Sequence, residues 1–257
     1  MIKGLARFLR DVFTRGEGVY EGRARAPRGQ TLLTVSPRDS AELSEALKAA
    51  KGAGMTAHLL FTRALIQRER SMRSTRSQAL RLADLIALSP LYPEERRGEL
   101  QRRFDVLVIP HVVNHQLSAP LERYCEDFGG ALNRLKRGEA LAELYRLRFY
   151  NLCARVLPIR LMSQVLFKGV LKTSTTTTNP GPVRVPLERC GPHEVLDFIN
   201  FPQLSPPARL GVIYTTFRGS LRLLILHDEG LMTHEDAARF ADELWAEVME
   251  LSATLAP

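Results

Sequence analysis

Six histidines supply the chain's imidazoles, and two groups of them stand at spacings that can do chemistry. In His193-Glu194-Val195-Leu196-Asp197 an imidazole is followed four residues later by a carboxylate. Imidazole titrates near about 6.5, close to working pH, so such a pair could take a proton from a hydroxyl, amine or thiol while the acid orients the ring. Strand geometry works against this: residues four apart on a strand share a face but stand roughly 13 Å apart. That leaves His193 as an edge-strand residue and Asp197 as a cap. His111 and His115 have the spacing that puts two metal ligands on one helix face. Val112 and Val113 lie between them, a buried strand precedes them, and no third ligand is close in sequence, so a strand and no metal are expected. Cys125, Cys153 and Cys190 are odd in number and widely spaced, which fits neither a disulfide framework nor a Cys-x-x-Cys clamp; a reducing cytoplasm suits them best.

The elements that must position these groups read as alternating strands and helices. Ile2, Leu5, Leu9, Val12 and Phe13 repeat at helical spacing with Lys3, Arg7, Arg10 and Arg15 on other faces, predicting a basic amphipathic helix that stops at Gly16 and Gly18. It would dock on the domain or a partner, or lie on a membrane surface. Glu21 to Gln30 reads as a linker, so residues 1–30 form an arm and 31–257 the main domain. Thr31 to Val35 is a short strand, Ser36-Pro37-Arg38-Asp39-Ser40 starts a helix through Ala50, and a second helix runs from Thr56 to about Arg70. Arg63, Arg68, Arg70, Arg73, Arg76 and Arg81 read as a solvated, mobile surface. Leu80 to Leu91 reads as a helix, and Phe104 to Pro110 as a buried strand ending at the proline. Leu117 to Arg137 and Ala140 to Lys172 read as helices, the second broken at Pro158. Val183 to Leu187 and Glu194 to Phe198 are strand-like. Ala208 to Phe217 and Leu221 to Asp228 form a hairpin across Arg218-Gly219-Ser220. The last helix spans 234 to about 252, opened by the capping pair Thr233 and Asp236.

At 257 residues the chain can bury a sizeable core, and its net charge of +8 favours an acidic partner such as a phosphorylated cofactor, an anionic membrane or an acidic protein. Nucleic acid is disfavoured, because the arginine-rich stretch from Gln67 to Leu82 has no aromatic side chains on which bases could stack. No run approaches the ~18 apolar residues of a membrane span, so a water-soluble protein, peripheral at most, is expected.

Two segments together carry a resemblance. Leu221 to Asp228 followed by Asp236-Ala237-Ala238-Arg239-Phe240 is similar to the closing strand and helix of the CoA-dependent acyltransferases of the chloramphenicol acetyltransferase-like superfamily. Thr175-Thr176-Thr177-Thr178-Asn179-Pro180-Gly181-Pro182 resembles the Ser-Asn-x-Pro-Gly-Pro segment of its wax ester synthase/diacylglycerol acyltransferase and condensation-domain branch. In that branch two such folds share one chain, the first bearing His-His-x-x-x-Asp-Gly and the second the Pro-Gly-Pro strand with a degenerate closing motif. From about Gln30 onward this chain resembles the second half alone.

The resemblance implies an α/β fold of the chloramphenicol acetyltransferase type, a mixed sheet flanked by helices with a basic N-terminal helical arm. It also locates a loss. The closing strand of the superfamily ends in His-x-x-x-Asp-Gly, and counting back from Asp236 without a gap sets Glu229, Thr233 and His234 at those three positions. Glu229 could replace an imidazole only if burial raised its pKa by roughly two units, and Thr233 cannot act as the charged partner. The helix that opens with Asn-Asp in relatives here opens with Ala57-His58. Asn179 and Gly181 carry over as wall and substrate-orienting positions, and in relatives the greasy region from Tyr145 to Leu171 helps wall an acyl-chain tunnel, which implies lipid contact.

The implied function is that of an acyltransferase-like subunit without its own base. It would pair with a chain carrying the first half, or with itself as a homo-oligomer, in acyl transfer from CoA or an acyl carrier protein, with no tightly bound cofactor. The alternatives are a non-catalytic scaffold that uses the same interface, and an autonomous acyltransferase that uses His193.

Overall fold

The computed structural model describes residues 18–20, 27–72, 79–87, 108–134, 155, 158, 175–182, 189–199, 204 and 208–255. The predicted N-terminal amphipathic helix, the helix over 140–172 and the strand over 183–187 lie outside these residues or almost wholly so. The described chain runs β1 (Thr31–Arg38), α1 (Ser40–Gly52), α2 (Ala57–Met72), β2 (Ala79–Ala87), β3 (Val108–Gln116), α3 (Leu121–Tyr124), a π-helical turn (Cys125–Gly129), α4 (Gly130–Arg134), β4 (Thr175–Pro182), β5 (Arg189–Cys190), β6 (His193–Glu194), β7 (Leu210–Phe217), β8 (Ser220–Asp228) and α5 (His234–Leu255). Six strands form one mixed sheet in the order β1-β8-β7-β4-β2-β3, with β2, β4 and β7 parallel to one another and the other pairs antiparallel.

Strand alternation divides the side chains into two sets. Leu80 and Leu82 of β2, Leu210, Val212 and Tyr214 of β7, and Leu221, Leu223 and Ile225 of β8 pack beneath α1, α2 and α5, whose buried faces include Leu43, Leu60, Leu65, Phe240, Leu244 and Val248. The intervening residues Ile213, Leu224 and Leu226 meet Leu33, Val35, Leu204 and Ala208 in a second cluster. The β7–β8 hairpin turns through Arg218 and Gly219, at φ 49° and 81°. Both central residues of a tight turn lie in the left-handed region, which matches the twist of the flanking strands.

The prolines obey the hydrogen-bond ladder. Pro37 sits in β1 and Pro110 in β3, the two edge strands of the described sheet, where a missing N–H costs no ladder bond on the open side. Two predictions are corrected accordingly. Ser36 to Arg38 extends β1 instead of starting the helix, which is capped by the Asp39 carboxylate on the Ala41 amide at 2.6 Å; and β3 continues through Pro110 to Gln116. Pro180 stands in an interior strand, but at an irregularity: the β4–β7 register shifts between Thr178, opposite Ile213, and Gly181, opposite Thr215. The extra residue absorbs the proline.

Three further expectations are overturned. The segment read as a helix from Leu80 is β2, because pairing with β3 and β4 on either side outweighs the local helical preference of Ala, Leu and Arg. The segment from Glu194 to Phe198 forms a strand only at His193–Glu194. The arginine stretch is not uniformly solvated: Arg63, Arg68 and Arg81 are only 7, 3 and 1 % exposed, Arg70 is exposed, and Arg73 and Arg76 lie outside the described residues. Arg68 bonds Glu69 at 2.9 Å and, through Nε, Glu243 at 3.1 Å, and it lies 4.3 Å over the Phe240 ring. Buried charges persist only when paired in this way. Among the described residues no helix is long and apolar enough to cross a membrane.

Candidate functional site

The densest polar chemistry lies between α2 and the sheet, built from residues of five elements. Asp84 of β2 is wholly buried. His58 presents Nε2 3.6 Å from one of its oxygens, His115 presents Nε2 3.9 Å from the other, and the Thr177 hydroxyl of β4 donates to it. On its other side His58 places Nδ1 in hydrogen-bond contact with the Tyr214 phenol of β7, which donates to the His58 carbonyl at 3.3 Å. A phenol has one hydrogen. The Tyr214 oxygen therefore accepts from Nδ1–H, and Nε2 is left for Asp84.

Each residue reaches this place for a local reason. His58 stands in the first turn of α2, and Leu80, Leu82 and Asp84 share one face of β2 by alternation. Aromatic packing holds the walls: Tyr214 stacks on Phe61 at 4.3 Å, and His115 meets Phe128 edge-on at 4.5 Å. Burial pushes the Asp84 carboxyl up, but the His58 hydrogen bond and charge, then His115 and Thr177, outweigh it and hold the group below its ordinary value. Burial, reinforced by the Asp84 charge, drives the Tyr214 and Tyr124 phenols well above theirs, so both stay protonated. The cluster thus sets a buried carboxylate between two imidazoles in a dry site. The network fastens α2 to the sheet. Among the described residues no group of three or more His, Cys, Asp or Glu is placed to hold a metal ion.

A second site stands at the β8–α5 junction, where the resemblance locates the proton acceptor. Asp228, wholly buried, accepts from the Gly230 amide at 2.9 Å, the Gly29 amide at 3.2 Å and Arg209 at 2.7 Å, with Arg28 at 3.8 Å. Burial raises this carboxyl, and Arg209 and the two amides outweigh it, holding it below the ordinary range. Glu229 next to it is exposed and its amide bonds the Gln30 carbonyl at 3.0 Å. Its side chain lies over Gly29, where an added Cβ would come within 2.3 Å of it. The burial that a replacement base would need is absent at Glu229.

Thr233 caps α5. Its Oγ1 accepts from the Asp236 amide at 3.1 Å, and Asp236 accepts from the Thr233 amide at 3.1 Å and hydroxyl at 2.9 Å. This reciprocal pair satisfies two helix-terminal donors. Thr233→Ala is expected to cost about 1 kcal/mol, read as a lower urea midpoint with an unchanged slope.

The other sequence-derived candidates are dispersed. His193 is exposed on the β5–β6 ribbon. Asp197 is committed to Arg222 at 3.1 Å and to the Phe198 amide at 2.8 Å. Among the described residues no hydrogen bond or ion pair joins His193 to Asp197. Asn179 and Gly181 flank Pro180 at the β4 irregularity. Sequence reasoning missed Asp84 and Tyr214 as members of a site. One signal was available: Asp84 is the sole acid in the apolar run Ala79 to Ala87, and an acid in a buried strand needs partners.

No protein family's model matches the chain, and no curated protein does. Solved structures do. The trichothecene 15-O-acetyltransferase TRI3 of Fusarium sporotrichioides is similar over 96 % of this chain and 51 % of its own, with TM-score 0.68 at 15 % identity. The epimerization domain from the third module of tyrocidine synthetase B is similar over 99 % and 56 %, with TM-score 0.61 at 10 % identity. The cyclization-docking bidomain of EpoB from Sorangium cellulosum is similar over 100 % and 49 %, with TM-score 0.61 at 11 % identity. At such identities the likeness is one of fold, and the chain has the mixed-sheet, chloramphenicol acetyltransferase-like fold of these acetyltransferase and peptide-synthetase domains. It spans about half the length of each.

Proposed function

We propose that this chain is one half of an acyltransferase-like pair, lacking its own base and acting beside a polypeptide that carries His-His-x-x-x-Asp-Gly, or beside a second copy of itself, in acyl transfer from CoA or a carrier protein. The observation that carries the reading is the β8–α5 junction. Where the resemblance sets an imidazole and its acid, this chain has an exposed carboxylate, Glu229, and a helix-capping hydroxyl, Thr233. The half-length match to larger folds supports it, since in the resembling branch the reacting centre lies between two copies of the fold. In this arrangement Asn179 and Gly181 supply one wall, with the glycine allowing close approach of backbone to substrate.

The test is thiol release from acetyl-CoA and palmitoyl-CoA by the purified chain, alone and mixed with a polypeptide from a neighbouring reading frame that carries the missing motif. No turnover alone and turnover in the mixture is the expected result, with Asn179→Ala lowering the mixed rate about a hundredfold if it orients substrate. Turnover by the chain alone that disappears in His193→Ala overturns the reading in favour of an autonomous enzyme. Absence of acyl-CoA binding by calorimetry, with and without the second polypeptide, overturns it in favour of a scaffold.

A further inference from the structure

Thr34 of β1 serves two imidazoles at once. Its Oγ1 lies 2.9 Å from Nδ1 of His234 and 3.3 Å from Nε2 of His227, and the two ring centres are 6.4 Å apart. The hydroxyl and the inner ring are buried, at 3 % and 0 % exposure, while His234, the first residue of α5, is exposed. A hydroxyl carries one hydrogen, so Thr34 can donate to only one ring at a time. With Nδ1 of His234 unprotonated, Thr34 donates outward and accepts from Nε2–H of His227. With Nδ1 of His234 protonated, that ring donates to Thr34, which then donates inward to an Nε2 lone pair on His227, the one hydrogen of that neutral ring having passed from Nε2 to Nδ1. The two arrangements are mutually exclusive, and the state of the surface ring selects between them.

We infer that His234, Thr34 and His227 form a proton-transfer chain joining solvent to the buried ring at the end of β8. In one inward step the Nδ1–H bond of protonated His234 breaks as a new O–H bond forms at Thr34, and the hydrogen that Thr34 held moves to Nε2 of His227. One proton enters and one arrives; no other reactant is consumed. The reverse step returns it. The surroundings of His227 decide where the proton rests. Asp228 on its own strand and Asp236 on α5 favour the charged ring, as does the nearby Met232 backbone, while Arg28 and Arg209 already engage Asp228. Burial first, and then the charge of His234, outweigh them and hold the inner ring below its ordinary value. His227 is therefore neutral at rest and reached by solvent protons through one hydroxyl.

Imidazole nitrogen spectra of the full chain, labelled with ¹⁵N and recorded across a pH series, test this. As His234 takes up its proton, Nε2 of His227 should move between the pyrrole-type and pyridine-type ranges at the same pH. Thr34→Ser should keep that response, and Thr34→Val should abolish it while His234 still titrates. His234→Asn, on the surface and therefore safe for folding, should likewise remove the His227 response at that pH. A His227 ring indifferent to His234 in the parent protein, or one that responds equally in Thr34→Val or His234→Asn, overturns the chain.

Discussion

Asp84→Asn is expected to lower unfolding stability by about 3 kcal/mol, the lower end of what removal of one partner from a buried ion pair costs. The lower end applies because both imidazoles stand beyond ordinary hydrogen-bond distance of the carboxylate, at 3.6 and 3.9 Å. The substitution keeps the shape and removes only the anion that faces two imidazoles and the Thr177 hydroxyl. Urea unfolding measures it, and a loss below about 1 kcal/mol, the size of one ordinary hydrogen bond, would mean that the cluster is not charged. The pH dependence gives a second reading. The folded carboxyl lies below its ordinary value, so its stabilisation is full above the unfolded value of about 3.9 and is lost as pH falls through the folded one. Asp84→Asn should lack that acid limb.

Asp228→Ala is expected to cost at least as much, about 3 kcal/mol or more. It takes the acceptor from the Gly29 and Gly230 amides and the counter-charge from Arg209 in one step, at a site with no exposure. Asp228→Asn, which keeps an acceptor oxygen and loses the charge, should fall between the parent and the alanine variant. Surface pairs set the contrast. Glu194, more than half exposed, meets Arg218 at 2.6 Å, yet exposed ion pairs contribute roughly 0 to 1 kcal/mol. If removing Glu194 costs as much as removing Asp228, burial is not what gives the junction its strength.

The parts legible in the chain were those governed by near neighbours. The Thr233–Asp236 cap, the Arg218-Gly219 turn and the helices α1, α2 and α5 follow from residues within a few positions of one another, and all were read with small errors at the ends. β2 was not, because Ala79 to Ala87 has a composition that suits a helix and its strand pairing is with β3 and with β4, about ninety residues away. The arginine stretch misled for the same reason. Arg68 looks solvated until its acid partner is known, and Glu243 lies 175 positions further on.

The two polar sites divide along this line. The junction after β8 was located from sequence because its residues are contiguous, and Glu229, Thr233 and Asp236 can be set against the closing strand and helix from their order alone. The partners of Asp84 could not be read from the chain, since Thr177 is 93 positions from Asp84 and Tyr214 is 156 from His58. Fold class and the closing strand and helix could be read from the chain, because hydrophobic period and capping act over one or two turns. Which charges are buried, and which imidazoles share a hydroxyl, was settled only when distant strands were laid side by side. The free energy of a buried charge depends on the partners that surround it, and those come from elsewhere in the chain.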